Sequence, residues 1–443
     1  MSKQQALSMK EKIGQMLCFA FHGTSYNEQL KQLIEDYHIG NIVHFARNIS
    51  SVEQVKTLNQ EMQKHAKLPL FISLDQEGGM VRRISEQITY LPGAMSLAAG
   101  NQDYIEAINQ KVAYEMKGLG FHINYAPVGD VNNNPLNPVI NSRSYSDDPF
   151  VVARCAIKAA LGIQKGGMLP TIKHFPGHGD TQVDSHVGLP VVKKSIKKMQ
   201  KLEIIPFKEA IDAGIDGVMM SHVLYSDIDP MFPSSLSYSV VTNLLKEQLK
   251  FKGLITTDSL TMQAIWKNYS IEEIIERSVD AGCDILVFCG KANIFEQITI
   301  TETFYRLVKE NRISKKRINE SVNKILRMKK KYINAPITSP DAVIISSDDL
   351  VMQSITKVHD GGLLPLNNEK KTLVIYPKIK LATLVDNEDN PKLRLGEYLG
   401  VDEMMIDESA NNIDAIIEKA NAYDVVIFAT YQVKKQDFQE KIF

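Results

Sequence analysis

The sequence predicts an α/β protein, a (β/α)8 TIM-type barrel followed by a partial α/β sandwich domain. Three observations predict it. The chain has 443 residues, too many for one ordinary domain of about 150, although an α/β barrel takes about 250 or more as one unit. Eight short apolar runs recur through the first 330 residues, several closing on a polar side chain and each followed by a helical segment. A breaker-rich stretch, NAPITSP from Asn334 to Pro340, then precedes a shorter second α/β pattern.

The eight runs are Ile13–Phe21, Ile39–Phe45, Leu68–Asp75, Phe121–Val128, Leu169–His174, Asp216–His222, Gly253–Asp258 and Asp284–Cys289. Continuous apolar runs of this length suit strands buried on both faces of a parallel sheet. Segments such as Ile271–Val279 (IEEIIERSV) carry helical spacing between them. Ser314 is placed to cap a last helix, with Ile318, Val322, Ile325 and Leu326 on its apolar face. The catalytic domain is therefore 1–333 and the linker 334–366. A C-terminal α/β domain, 367–443, has strands at Leu373–Tyr376 and Asp424–Ala429 and a polar tail, KKQDFQEKIF. So few strands leave hydrophobic edges, so this domain is expected to be incomplete.

Composition narrows the function classes. The chain is 44% hydrophobic and 23% charged, as a globular protein is. Lys plus Arg number 51 and Asp plus Glu 52, for a net charge of −1. So neutral a chain has no global pull on nucleic acid or an anionic membrane. The cluster Lys193, Lys194, Lys197, Lys198 and Lys201 reads as a solvated helix face. Cys18, Cys155, Cys283 and Cys289 are scattered without a CxxC pair, and read as free thiols in a reducing compartment. The N-terminus MSKQQALSMKEKIGQ has no apolar signal core, and no 18-residue apolar run could span a membrane. A cytoplasmic location is expected; an upstream signal outside this sequence would make an exported form.

In an α/β barrel, function sits where loops leave the C-terminal ends of the strands. Those ends carry Asp75, Asp130, His174, His222 and Asp258. The densest cluster, KHFPGHGDTQVDSH from Lys173 to His186, holds three of ten histidines with Asp180 and Asp184. Its residues fit a metal site using His174, His178, Asp180 and His186. They also fit a dyad in which Asp184 orients and charges the His186 imidazole. A loop held by its own hydrogen bonds is the bland alternative. In GLITTDSL, Asp258 is either a nucleophile or a helix N-cap. In LDQEGGMVRR, Gly78–Gly79 would let backbone approach a ligand, and Arg82 and Arg83 offer fork-shaped donors. NYAPVGDVNNNPLNPVINSRSY, from Asn124 to Tyr145, offers amides and the Arg143 guanidinium to a polyhydroxylated ligand, or is simply turn-rich.

Together, and in this order, these four segments closely resemble the bacterial family 3 glycoside hydrolases, specifically their β-N-acetylhexosaminidase branch. The resemblance covers roughly residues 8 to 330. It implies that Asp258 is the nucleophile and His186 the general acid/base, with Asp184 as its partner. It implies that Asp75, Arg83, Arg143, Lys173 and His174 hold the sugar. It favours the dyad over the metal, and implies no cofactor. Met80 departs from the Arg that relatives often carry after the paired glycines. The implied reaction is retaining hydrolysis of a terminal β-linked N-acetylglucosamine from muropeptides or chitooligosaccharides, as in cell-wall recycling. An imidazole in place of the second carboxylate removes a negative charge, so phosphorolysis at the same site is a second expectation. A silent sugar-binding or scaffold protein is a third. The glycine-rich dyad loop is expected to close over bound sugar.

Overall fold

The computed structural model describes residues 7–290, 293–334, 346–359, 361–367, 369–377, 395–407, 413–430 and 438–442. It divides into two compact units, Met1–Ile355 and Thr356–Phe443.

In the first unit the strands are β1 (Leu17–Phe19), β2 (Asn41–Val43), β3 (Phe71–Leu74), β4 (Ile123–Asn124), β5 (Leu169–Pro170), β6 (Ile172–Phe175), β7 (Val191–Val192), β8 (Gly217–Met220), β9 (Leu224–Tyr225), β10 (Leu254–Thr257) and β11 (Leu286–Phe288). A six-stranded sheet runs β11-β1-β2-β3-β4-β5, a three-stranded sheet runs β10-β8-β6, and β7 pairs with β9. Every pairing is parallel. Parallel bridges between Thr256 and Ile285 and between Val128 and Lys173 link the two larger sheets. At the first of these, Thr257 N–H donates to Ile285 O at 3.0 Å and Leu260 N–H to Val287 O at 2.8 Å.

These strands form because their side chains are apolar on both faces, and β1, β3, β8, β10 and β11 are buried throughout. Each large side chain enclosed there contributes about 1.5–3 kcal/mol. Helices surround them. Ser314 caps Lys315–Ile333 as the sequence predicts, its hydroxyl accepting from Lys316 N–H. The run beginning at Ile13 does not start as strand. Met9–Met16 is helix, because Ser8 and Glu11 close a capping box ahead of it.

The span read as linker, 334–366, differs from its expectation. Ser347–Ser354 is a helix capped by Ser346, and its Leu350 is buried in the core of the first unit. Ser347 Oγ also donates to Tyr90 O at 2.6 Å. Residues 335–345, with most of NAPITSP, lie outside the described residues, as do 434–437 and 443 of the tail. In the second unit, β12 (Thr372–Pro377) is flanked in parallel by β13 (Asp402–Ile406) and β14 (Val425–Phe428). β12 and β14 match the predicted strands. β13 was not predicted, because its DEMMI sequence is acidic and only Ile406 is buried. Leu373, Ile375, Ile406 and Ile416 form this unit's core.

One buried carboxylate ties the floor of the first unit. Asp284 precedes β11 and accepts from Lys324 Nζ at 2.7 Å, Ser321 Oγ at 2.8 Å and Ile255 N–H at 3.0 Å, with Arg317 at 3.2 Å. Burial works to raise its pKa, but Lys324 and Arg317 overcome this and hold it below the ordinary value. Its stabilisation is therefore present above the unfolded carboxylate's pKa and lost as pH falls through the lower folded one. Asp284→Ala is expected to cost about 3 kcal/mol in urea unfolding at pH 7, by stranding Lys324 and the Ile255 N–H. The difference from wild type should shrink in acid.

Candidate active site

Polar side chains gather where the central strands end. β3 delivers Asp75 and then Glu77. Gln76 between them shapes the following loop: its Oε1 accepts from Arg83 N–H at 2.7 Å, and its Nε2 donates to Ile84 O at 2.9 Å. Gly78 and Gly79, at φ +98° and +57°, make the turn. A Cβ on Gly78 would sit 2.5 Å from Pro92 O. The glycine pair thus allows close packing against the 91–93 backbone.

β6 carries Lys173 into this corner. Its ammonium donates to Asp75 Oδ1 at 2.7 Å and lies 2.6 Å from Glu77 Oε1. Glu77 also receives both arms of the Arg143 fork, at 2.7 and 2.8 Å. Arg83 adds a contact to Asp75 Oδ2 at 3.6 Å. The result is one chain of alternating charge, Arg83–Asp75–Lys173–Glu77–Arg143. Burial alone would raise the Glu77 pKa; Arg143 and Lys173 reverse that and hold it well below the carboxylate range. Burial likewise opposes the charge on Lys173, yet Asp75 and Glu77 raise its pKa. Arg82 stays outside this chain, its guanidinium 5.1 Å from the centre of the Tyr90 ring.

A second carboxylate organises the histidines. Asp130 is fully buried and lies 2.6 Å from His174 Nδ1, and it accepts from His178 N–H at 2.7 Å. Burial would raise its pKa, but His174 and these bonds lower it. His178 is pushed down to about 4 by burial and then by the charge of His174. It bonds Thr181 Oγ1 at 2.9 Å and Ser185 Oγ at 3.1 Å. Asn137 Nδ2 donates to His178 O at 2.8 Å, Gly179 O at 3.1 Å and Thr181 Oγ1 at 3.2 Å. So part of the 124–145 amide supply holds the dyad loop. Lys194, read as a solvated lysine, inserts between Asp180 and Glu203 instead.

The end of the loop carries Asp184 and His186. Asp184 Oδ1 accepts from His186 N–H at 2.8 Å and lies 2.7 Å from its Nδ1. Ala264 N–H donates to Ser185 O at 3.1 Å, tying this segment to the chain just past Asp258. Asp258 follows β10 and is half-buried. It does not cap a helix; the next one begins at Gln263 with Met262 at its cap. Among the described residues its carboxylate takes one hydrogen bond, from Ser259 N–H at 2.7 Å. Burial works to raise its pKa, but His222, His174 and His186, with the Ser259 bond, bring it down to about 2. His222 is bound between Ser235 Oγ at 2.8 Å and Ser259 O at 2.9 Å, and burial lowers its pKa.

Asp75, Arg83, Arg143, Lys173 and His174 thus fall into two adjoining networks, and Asp258 lies in the electrostatic field of His174 and His186. The four proposed metal ligands are not brought to one centre. His174 faces Asp130, Asp180 faces Lys194 and His186 faces Asp184. Among the described residues no group of three or more His, Cys, Asp or Glu could hold a metal ion. Sequence reasoning passed over Glu77, although it stands in the singled-out LDQEGG. It noted Asp130 and His222 only as strand ends.

Comparison with known proteins adds to this geometry. Residues 8–328 match the glycosyl hydrolase family 3 N terminal domain. The chain is 32% identical to Beta-hexosaminidase A of Pseudoalteromonas piscicida over 389 residues, 79% of this chain and 64% of that protein. It thus spans less than two thirds of that relative's length. It is 33% identical to a Beta-hexosaminidase of Neisseria meningitidis serogroup B over 279 residues, 61% of this chain and 77% of the relative. A solved family 3 β-N-acetylglucosaminidase from Paenibacillus sp. str. FPU-7 superposes with a TM-score of 0.90 at 34% identity, over 99% of this chain and 87% of that one.

Glu77→Gln is expected to lower stability at pH 7 by about 3 kcal/mol in urea unfolding, because Lys173 and Arg143 lose their shared anion. The deficit should persist at pH 5, where Glu77 is still ionised. An unchanged midpoint would mean that the two cations are held by other partners.

Proposed function

Because the chain belongs to glycosyl hydrolase family 3, we propose that it is a β-N-acetylhexosaminidase that removes terminal β-N-acetylglucosamine by a retaining, two-step displacement. The observation that carries this is the pairing of two underused groups. Asp258 is ionised with one oxygen unclaimed by any described residue, and His186 is oriented through Nδ1 with Nε2 unclaimed.

In the first step Asp258 attacks the anomeric carbon, while His186 Nε2–H protonates the departing oxygen. Asp184 holds the ring through Nδ1, leaving Nε2 to handle the proton. In the second step water opens the glycosyl ester, and His186 takes its proton. A carboxylate that titrates near 2 is ionised across the physiological range and available as a nucleophile. Asp75, held by Lys173 and Arg83, accepts from sugar hydroxyls with its remaining lone pairs. Arg143, steadied by Glu77, and His174, oriented by Asp130, complete the grip. The eight central strands close as a (β/α)8 barrel in this proposal, with the site at their C-terminal ends.

The substrate class that fits is an N-acetylglucosamine-containing muropeptide or chitooligosaccharide. A cytoplasmic place in cell-wall recycling accompanies it. Four free cysteines suit a reducing compartment, and no described helix is long and apolar enough to cross a membrane.

Asp258→Ala should lose about three orders of magnitude or more in kcat on a chromogenic N-acetylglucosaminide. His186→Ala should lose about 10²–10⁴-fold on an alkyl glycoside and much less on a nitrophenyl one, which needs little protonation. Free sugar should be the product with or without added phosphate. Full turnover by Asp258→Ala, or a His186→Ala loss indifferent to the leaving group, would overturn the assignment.

A further inference from the structure

The opposite ends of the same strands carry a second feature. Residues just before β8 and β10, with the helix Lys315–Ile333, line a cleft of about 700 Å³, a size that suits a small-molecule ligand. Its walls differ from the rest of the chain, which is nearly neutral. Lys246, Lys250, Lys252 and Arg327 all line it, and none forms an ion pair with a described residue. The acid present, Asp216, is already engaged by Lys331 and the Tyr332 hydroxyl. The floor is apolar, with Ile215, Phe251 and Met328 buried beneath the charges.

An exposed lysine cluster is ordinarily a solvated face. Two observations set this one apart. The charges line a concavity, where neighbouring cations and low-dielectric walls focus a positive potential. And Lys246 is half-buried beside Gly282 without a counter-ion of its own. Burial, and then the nearby Arg317, push its ammonium down to about 8. The nearby carboxylate, Asp284, is saturated by Arg317, Lys324 and Ser321. A half-buried ammonium without a partner is costly, and an incoming anion would offset that cost.

We propose that this cleft binds an organic phosphate, with its anionic head against Lys246, Lys250, Lys252 and Arg327 and an apolar or aromatic body on Ile215, Phe251 and Met328. The site is separate from the catalytic one. Lys252 lies before β10, whereas Asp258 follows its other end. Guanidinium and ammonium donors together suit phosphate oxygens. The apolar floor distinguishes an organic phosphate from the free ion.

The test is calorimetric titration of the full-length chain with phenyl phosphate and with inorganic phosphate, in wild type and in Lys250→Gln/Lys252→Gln/Arg327→Gln. These three positions are exposed and unpaired, so the variant should unfold at the wild-type midpoint and turn over a chromogenic glycoside at the wild-type rate. Wild type should bind phenyl phosphate about tenfold more tightly than inorganic phosphate. The triple variant should weaken that binding by about tenfold or more, and added salt should do the same. Equal affinity in the two proteins would place the phosphate elsewhere and overturn the proposal. So would no binding up to about 10 mM.

Discussion

Lys173 is fully enclosed, and a buried ammonium is tolerated only where anions meet it. Everything around the strand ends follows from that requirement. Asp75 and Glu77 supply the anions from one loop, and Glu77 in turn needs Arg143 from another. Three separate stretches of chain are thereby locked to one another through charge. Each ion taken from water costs several kcal/mol, so such a chain is stable only when every member is present. The loops that it joins cannot drift independently.

Against this saturated corner stand groups that are deliberately short of partners. Among the described residues, the Asp258 carboxylate receives one backbone bond and the His186 ring is held at Nδ1 alone. The contrast is chemical. Groups that grip must be immobile, whereas groups that react need an open lone pair or an available proton. Asp130 connects the two kinds of group. It aligns His174 next to Lys173 and anchors His178, which braces the loop carrying His186.

Much of this was legible in the sequence. Buried parallel strands need apolar side chains on both faces, so each run contains a strand, and strand ends announce themselves by abrupt polarity at Asp75 and Asp258. What was missed has physical causes. Ile13 to Met16 are apolar enough for a strand, but the Ser8–Glu11 capping box makes them helical. β13 lies at the edge of a small sheet, so its acidic residues escape the usual apolar pattern. Glu77 follows Asp75 by two residues, and sequence alone does not say that both meet the same ammonium across 96 further positions of chain. Lys194 resembles its neighbours in composition; that it meets two carboxylates is decided by tertiary folding.

The short helix Ser347–Ser354 changes how the molecule should be divided. It lies beyond the long helix Lys315–Ile333, yet Leu350 packs into the first unit's core, and the helix lies against Ala94–Ala99, which follows the Asp75 loop. A fragment cut at residue 333 would keep every residue assigned to the reaction and still lose a wall of its own interior. The first compact unit therefore extends to Ile355, and the second begins only after that.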